Sequence, residues 1–276
     1  MNIADALNYG QTALTDSDSP SIDCQVLLCH SLECVTSYLH TWPEKELSNE
    51  QQQLFEQLIA QRQNGQPVAH LTGQRGFWTL DLKVTADTLI PRPDTELLVS
   101  LALEKLTPQM TIADLGTGSG AIALSLASEE ANCTVFASDA SPAALAVAKY
   151  NASNNQLNNV QFWQGSWLSA ISVHCLDMIV SNPPYIEADD EHLSQGDVRF
   201  EPITALASGA DGLDDIREII VQAKHCLKPE GWLFIEHGYH QAKQVQELFF
   251  AAGFITISSH KDYGDNDRVT VGQLPL

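Results

Sequence analysis

From Asp94 onward, strand-like and helix-like runs alternate, and this alternation limits the possible folds more than any other feature of the chain. Short β-rich apolar runs fall at 111–115, 134–138, 160–163, 178–181 and 232–236. Helical patterns lie between them, among them 94–106, 142–154 and 213–227, with Ser141-Pro142 supplying an N-cap and a proline at the first helical position. Two closing runs, 255–259 and 268–272, follow a helix near 240–251. The expected fold class is α/β, a parallel sheet with helices on both faces.

The first 65 residues read as helices instead. Ile3 to Leu14 has suitable apolar spacing, and Ser19-Pro20 offers an N-cap before Ile22, Val26 and Leu27. Ser48-Asn49-Glu50-Gln51 fits a capping box leading into Leu54, Phe55, Leu58 and Ile59, and Gly65 and Pro67 end the pattern. Residues 1–66 are expected to form a small helical domain. Residues 67–93 carry a β-rich stretch, Phe77 to Val84, between glycines and a Pro91-Arg92-Pro93 corner, and are expected to form a β-hairpin or extended connector. Residues 94–276 then form the main domain. A chain of 276 residues accommodates that division.

Charge narrows the partners. Fourteen Lys and Arg against 35 Asp and Glu give a net charge of −21, without a basic cluster, which weighs against direct nucleic-acid binding. No run approaches the roughly 20 apolar residues of a membrane helix, and the start lacks the basic flank and apolar run of a secretory signal. A cytoplasmic protein with no membrane partner is expected. The six cysteines include no Cys-x-x-Cys and are expected as small core residues. His237 and His240 have no third ligand in view, so no metal is expected.

Three signals carry chemistry. Asp114-Leu115-Gly116-Thr117-Gly118-Ser119-Gly120 sits where a strand meets a helix, and its glycines allow a sharp turn close to a ligand. The spacing is neither a phosphate-binding Gly-Lys-Ser/Thr loop nor Gly-x-Gly-x-x-Gly. Asp139, nineteen residues after Gly120, ends the next strand, placed either to accept both hydroxyls of a ribose or to cap the following helix. Asn182-Pro183-Pro184-Tyr185 leaves the fourth strand. Its prolines stiffen the loop and donate no hydrogen bonds, so it presents acceptors, the Asn182 side-chain oxygen and the Pro183 carbonyl. Two converging acceptors suit a planar –NH₂ group, and the Tyr185 ring can pack against a flat substrate.

Together these motifs resemble the class I S-adenosylmethionine-dependent amino methyltransferases. Leu89 to Glu96, Gln195 to Pro202 and Asp262 to Val269 narrow the resemblance to the bacterial release factor glutamine-N5 methyltransferases, and it spans essentially the whole chain. The resemblance implies a Rossmann-like sheet of seven strands, the last antiparallel, and S-adenosyl-L-methionine as donor with S-adenosyl-L-homocysteine as product. It implies a monomer that methylates the glutamine of the Gly-Gly-Gln motif in class I peptide chain release factors, with the N-terminal helices recognising that protein. Gly116, Thr117, Gly118, Ser119 and Gly120 would line the cofactor, Asp139 would hold its ribose and Trp167 would lie beside the adenine. Asn182 would touch cofactor and substrate amide, with Pro183, Pro184 and Tyr185 completing the substrate site, and Asn182, Pro183 and Tyr185 carrying catalysis. Ser166 departs from the pattern, standing where relatives often carry Asp.

The nearest rival is a nucleic-acid methyltransferase acting on an exocyclic amine, such as adenine N6 or guanine N2, which presents a similar –NH₂. A silent cofactor-binding scaffold would not need the acceptor geometry of Asn-Pro-Pro-Tyr. A nucleotide-dependent oxidoreductase lacks its glycine spacing.

Overall fold

Capping chemistry sets the ends of the first helices. In the computed structural model, which describes residues 1–169 and 171–276, the N-terminal helices are α1 (Ile3–Ala13), α2 (Pro20–Leu32), α3 (Thr36–Thr41), α4 (Asn49–Gln63) and α5 (Val68–Thr72). The capping box at α4 is complete: Ser48 Oγ accepts from Gln51 N at 3.2 Å and Gln51 Oε1 accepts from Ser48 N at 2.9 Å. Ser19 does stand before α2, but its hydroxyl does not cap the helix. It donates instead to Asp23 at 2.9 Å, joining Ser17 Oγ at 2.7 Å and Arg62 Nε at 2.8 Å on a carboxylate only 7% exposed. A buried charge needs its lone pairs filled, and that requirement outweighs the cap. Ile3, Leu27, Leu28, Leu39, Phe55 and Ile59 form this unit's own core.

The chain divides into two compact units, Met1–Gln74 and Arg75–Leu276. The 67–93 stretch is therefore shared out. α5 is helical and closes the first unit, while the strands β1 (Gln74–Phe77) and β2 (Leu80–Lys83) pair as a hairpin. Within the second unit this hairpin is tied down, because Trp78 N donates to Glu96 Oε1 at 2.9 Å and Trp78 Nε1 to Glu129 Oε1 at 2.6 Å.

A 3₁₀ turn at Pro93–Thr95 leads into α6 (Glu96–Leu103), and then strands and helices alternate. They are β3 (Thr111–Leu115), α7 (Ala121–Glu129), β4 (Thr134–Asp139), α8 (Pro142–Asn154), β5 (Val160–Gln164), β6 (Leu176–Ser181), α9 (Asp214–Cys226), β7 (Leu227–Glu236), α10 (Ala242–Ala252), β8 (Ile255–Lys261) and β9 (Asp267–Gln273). Among the described residues the main sheet has seven strands in the order β5-β4-β3-β6-β7-β9-β8. The first five run parallel, and β9 is antiparallel to both β7 and β8. The expected α/β, Rossmann-like sheet with an antiparallel last strand is thus present.

The inner strands β3 and β6 are buried almost throughout because both faces are covered, whereas β5 and β8 at the sheet edges are not. Successive residues alternate between layers: Ile112, Met178, Val180 and Phe234 pack toward α6 and α7, while Ala113, Ile179, Leu233 and Ile235 pack toward α9 and α10. Cys133 and Cys226 join these layers and Cys24 the first unit's core, whereas Cys29, Cys34 and Cys175 are only half-buried.

One buried amide joins hairpin, helix and glycine loop. Asn151 on α8 accepts from Lys83 N at 2.8 Å and donates to Lys83 O at 2.9 Å and Ser119 O at 2.8 Å. Asn151→Leu leaves these backbone groups without partners, at a cost of about 3 kcal/mol. A urea titration is expected to show that loss, and a change below about 1 kcal/mol would contradict the assignment.

Candidate functional site

Strand register gathers the singled-out residues. Leu115 lies opposite Ser138 on one side and Ser181 on the other, and Ser138 and Ser181 face Trp163 and Ile235. Gly116, Asp139, Asn182 and the final β7 residue, Glu236, therefore leave neighbouring strands at the same level. The chain runs from β3 out to β4 and β5, then returns to β6 on the other flank. The crevice over the β3–β6 junction is the place where open α/β sheets bind ligands.

Asp114 sets the shape of the glycine loop. Its Oδ2 accepts from Thr117 Oγ1 at 2.6 Å and from Ala123 N at 3.1 Å, tying the loop to the start of α7. Burial raises this carboxyl's pKa to about 7, against the pull of those two bonds. Gly116 and Gly118 take φ values of +68° and +55°, a region that disfavours side chains. Both line a cavity of about 400 Å³, together with Asp139, Ser166, Trp167 and Asn182. Thr117, Ser119 and Gly120 do not line it. They hold the loop through Asp114, Asn151 and the left-handed start of α7.

Asp139 does not cap the following helix, because Ser141 Oγ does so by accepting from Ala144 N at 3.2 Å. Asp139 Oδ1 accepts from Ser141 N at 2.8 Å and its Oδ2 from Gly118 N at 2.9 Å. A carboxylate offers about two acceptor sites per oxygen, so one remains on each for a ligand's paired hydroxyls. The Trp167 ring packs against Gly116, where an added Cβ would stand 3.2 Å from Cζ3. These residues fit a nucleoside with a flat base and a diol.

Asn182 belongs to this cavity and to a second one of about 120 Å³, lined also by Leu89, Arg92, Pro183, Tyr185 and Ala205. Pro184 lines the larger cavity rather than the smaller. The loop is pinned on both sides: Tyr185 N donates to Leu206 O at 3.2 Å, and Gln241 Nε2 donates to Tyr185 O at 3.0 Å. Asn182 Nδ2 donates to Thr95 Oγ1 at 3.1 Å. The Tyr185 hydroxyl reaches Glu236 Oε1 at 3.4 Å, and burial, then the Glu236 charge, raises the phenol's pKa. Burial also lifts Glu236 to about 7, opposed by the Thr95 hydroxyl and the Arg268 charge.

Several site residues escaped the reading of single motifs. Leu89 and Ala205 line both cavities. Arg92 bonds Glu201, whose pKa burial raises and the guanidinium restrains. Thr95 holds Asn182. Arg92, Thr95 and Glu201 lie within stretches that the family resemblance picked out, and their pairing across the fold was the missing signal.

Comparison with known proteins gives the family. Residues 5–73 match the family described as PrmC N-terminal domain, and residues 93–198 match the methyltransferase small domain. The chain is 50% identical over 262 residues to a release factor glutamine methyltransferase of Aliivibrio fischeri, covering 94% of this chain and 92% of that protein. A protein of the same name from Pseudomonas aeruginosa is 50% identical over 261 residues, covering 94% and 95%. That of Escherichia coli is 46% identical over 261 residues, covering 94% of each. Among solved structures, a methyltransferase from Pyrococcus furiosus shares the fold with a TM-score of 0.56 at 16% identity, covering 79% of this chain and 98% of that one.

Glu236 makes stability depend on pH. Its pKa rises from the usual 4.5 to about 7 on folding, so within that window the folded chain holds a proton that the unfolded chain has released. The stability this contributes is lost as pH rises through about 7. Glu236→Gln, neutral throughout, is expected to gain stability relative to the parent as pH climbs through that range. Urea midpoints of both proteins measure the difference, and a gap unchanged from about pH 5 to 8.5 would contradict the shift.

Proposed function

Because the chain belongs to the release factor glutamine methyltransferase family, we propose that it methylates the Gly-Gly-Gln glutamine of class I peptide chain release factors on the side-chain nitrogen, with S-adenosyl-L-methionine as donor. The observation that carries this reading is that Asn182 lines both cavities, the larger suited to a nucleoside and the smaller to a side chain.

When bound, the donor supplies a methyl group on a sulfonium, already activated toward a nucleophile. Gly116, Gly118 and Trp167 would hold its nucleoside, with the free lone pairs of Asp139 on the ribose. The harder task is the amide nitrogen, whose lone pair is delocalised into its carbonyl. Asn182 Oδ1 and the Pro183 carbonyl accept its two N–H groups, favour the positive charge that develops on nitrogen, and aim it along the line between the cavities. Nitrogen becomes acidic only as the new bond forms and then loses its surplus proton to solvent, so these residues orient rather than abstract. The loop can hold this aim because Leu206 and Gln241 fix its backbone.

The first unit, with its own core, is proposed to recognise the folded release factor. No helix among the described residues is long and apolar enough to cross a membrane, in keeping with a cytoplasmic site of action.

Incubation with methyl-labelled donor and purified release factor, followed by peptide mapping, is expected to place the label on the Gly-Gly-Gln glutamine. Label confined to added DNA or RNA would overturn the reading in favour of a nucleic-acid amine. Asn182→Ala is expected to lower turnover by about 10²-fold while leaving donor affinity nearly unchanged. Asp139→Ala should instead weaken donor binding by about 10-fold in calorimetry, and normal affinity would remove the ribose assignment.

A further inference from the structure

A peptide that lays its glutamine at Asn182 must also bring main-chain carbonyls to the smaller cavity, and there they give up water. A carbonyl that loses water needs another donor in its place. Leu89, Ile186, Val198 and Leu206 wall that cavity with apolar side chains. Two of its polar side chains already have partners for their donors. Asn182 Nδ2 donates to Thr95 Oγ1 at 3.1 Å, and the Tyr185 hydroxyl turns to Glu236 Oε1 at 3.4 Å. The remaining one is Arg92, the one charged residue among those described in the lining.

Arg92 is braced for such a task. Its Nη2 donates to Glu201 Oε1 at 2.5 Å, and the Glu201 side chain is wholly buried while that of Arg92 stays 32% exposed. Glu201 Oε2 accepts from Ile90 N at 3.4 Å, which ties the carboxylate to the backbone two residues before Arg92. A guanidinium carries five N–H donors in one rigid plane, so Glu201 engages Nη2 and leaves Nε and Nη1 to a ligand. With its anchor buried and its free edge in solvent, Arg92 stands at the rim of the cavity. The chemistry favours that place. A cation on the glutamine's own carbonyl would draw the nitrogen lone pair further into the amide and slow attack on the methyl group.

We propose that Arg92 is a substrate-binding residue, which donates to the main-chain carbonyl of the glycine preceding the target glutamine. The inference rests on the reading that this glutamine receives the methyl group. It makes a demand on the substrate: a residue without Cβ lets its backbone come close to the guanidinium plane, and a larger one holds it off. Glu201 offsets the cation, so the pair brings no net charge toward the nitrogen on which positive charge develops.

Methyl transfer measured over a range of release-factor concentrations reads this contact. Arg92→Met is expected to lower kcat/KM by about 10- to 100-fold, mainly through KM, while donor affinity in calorimetry stays within about 2-fold. A release factor with alanine in place of the preceding glycine separates contact from mere support. The parent enzyme is expected to lose about 10-fold or more on that substrate, and Arg92→Met less than about 3-fold, because its contact is already gone. Equal losses on the alanine substrate, or a KM for Arg92→Met within about 2-fold of the parent, would overturn the proposal. Should Arg92→Met not fold because Glu201 is left buried and unpaired, Arg92→Met combined with Glu201→Gln carries the same measurements. Peptide mapping of the parent's product separates the two levels. Label absent from the glutamine overturns the proposed function itself, whereas a labelled glutamine with an unaltered KM overturns Arg92 alone.

Discussion

The pairing of β3 with β6 is the constraint on which the site depends. Leu115 opposite Ser181 sets the glycine loop and the Asn-Pro-Pro-Tyr corner on adjacent strands about 4.8 Å apart, at the point where the chain changes direction across the sheet. A shift of β6 by one residue would turn Met178 and Val180 into the opposite layer, so two apolar cores resist any other alignment. The Ser181 hydroxyl adds a bond to Leu115 O at 2.9 Å across that pairing. The geometry of the reaction is thus inherited from the packing of the sheet.

Around this crevice the protein keeps several carboxyl groups out of water. Asp114 organises the glycine loop, Glu201 anchors Arg92, and Glu236 lies behind Asn182 and Tyr185. Each resists ionisation because burial penalises the charge more than its partners repay. Fixed dipoles need no reorganisation when charge develops on a substrate, which is the advantage of an uncharged acceptor pair of the kind proposed for Asn182 and Pro183.

Much of the fold was legible because its signals are local. Ser141 and Pro142 start α8 at the expected residue, the capping box starts α4, and every expected strand of the main sheet is present. What escaped depended on distant partners. α3 has neither a side-chain cap nor a long apolar stripe, and Ser19 gave up its capping role to a buried Asp23 that also binds Arg62, 39 residues away. At the site, Gly116, Gly118, Asp139, Trp167 and Asn182 line the larger cavity, as expected of residues at strand ends. Thr95 carries no such mark. Its meaning comes from Asn182, 87 residues further on, and no spacing rule connects them.

The central claim is that the diproline corner offers two oxygen acceptors to a glutamine nitrogen beside the donor cavity. A crystal structure with S-adenosyl-L-homocysteine and a Gly-Gly-Gln peptide tests it directly. The glutamine nitrogen is expected within about 3 Å of both Asn182 Oδ1 and the Pro183 carbonyl, facing the sulfur atom. A glutamine seated elsewhere, or turned with its own oxygen toward Asn182, would contradict the account.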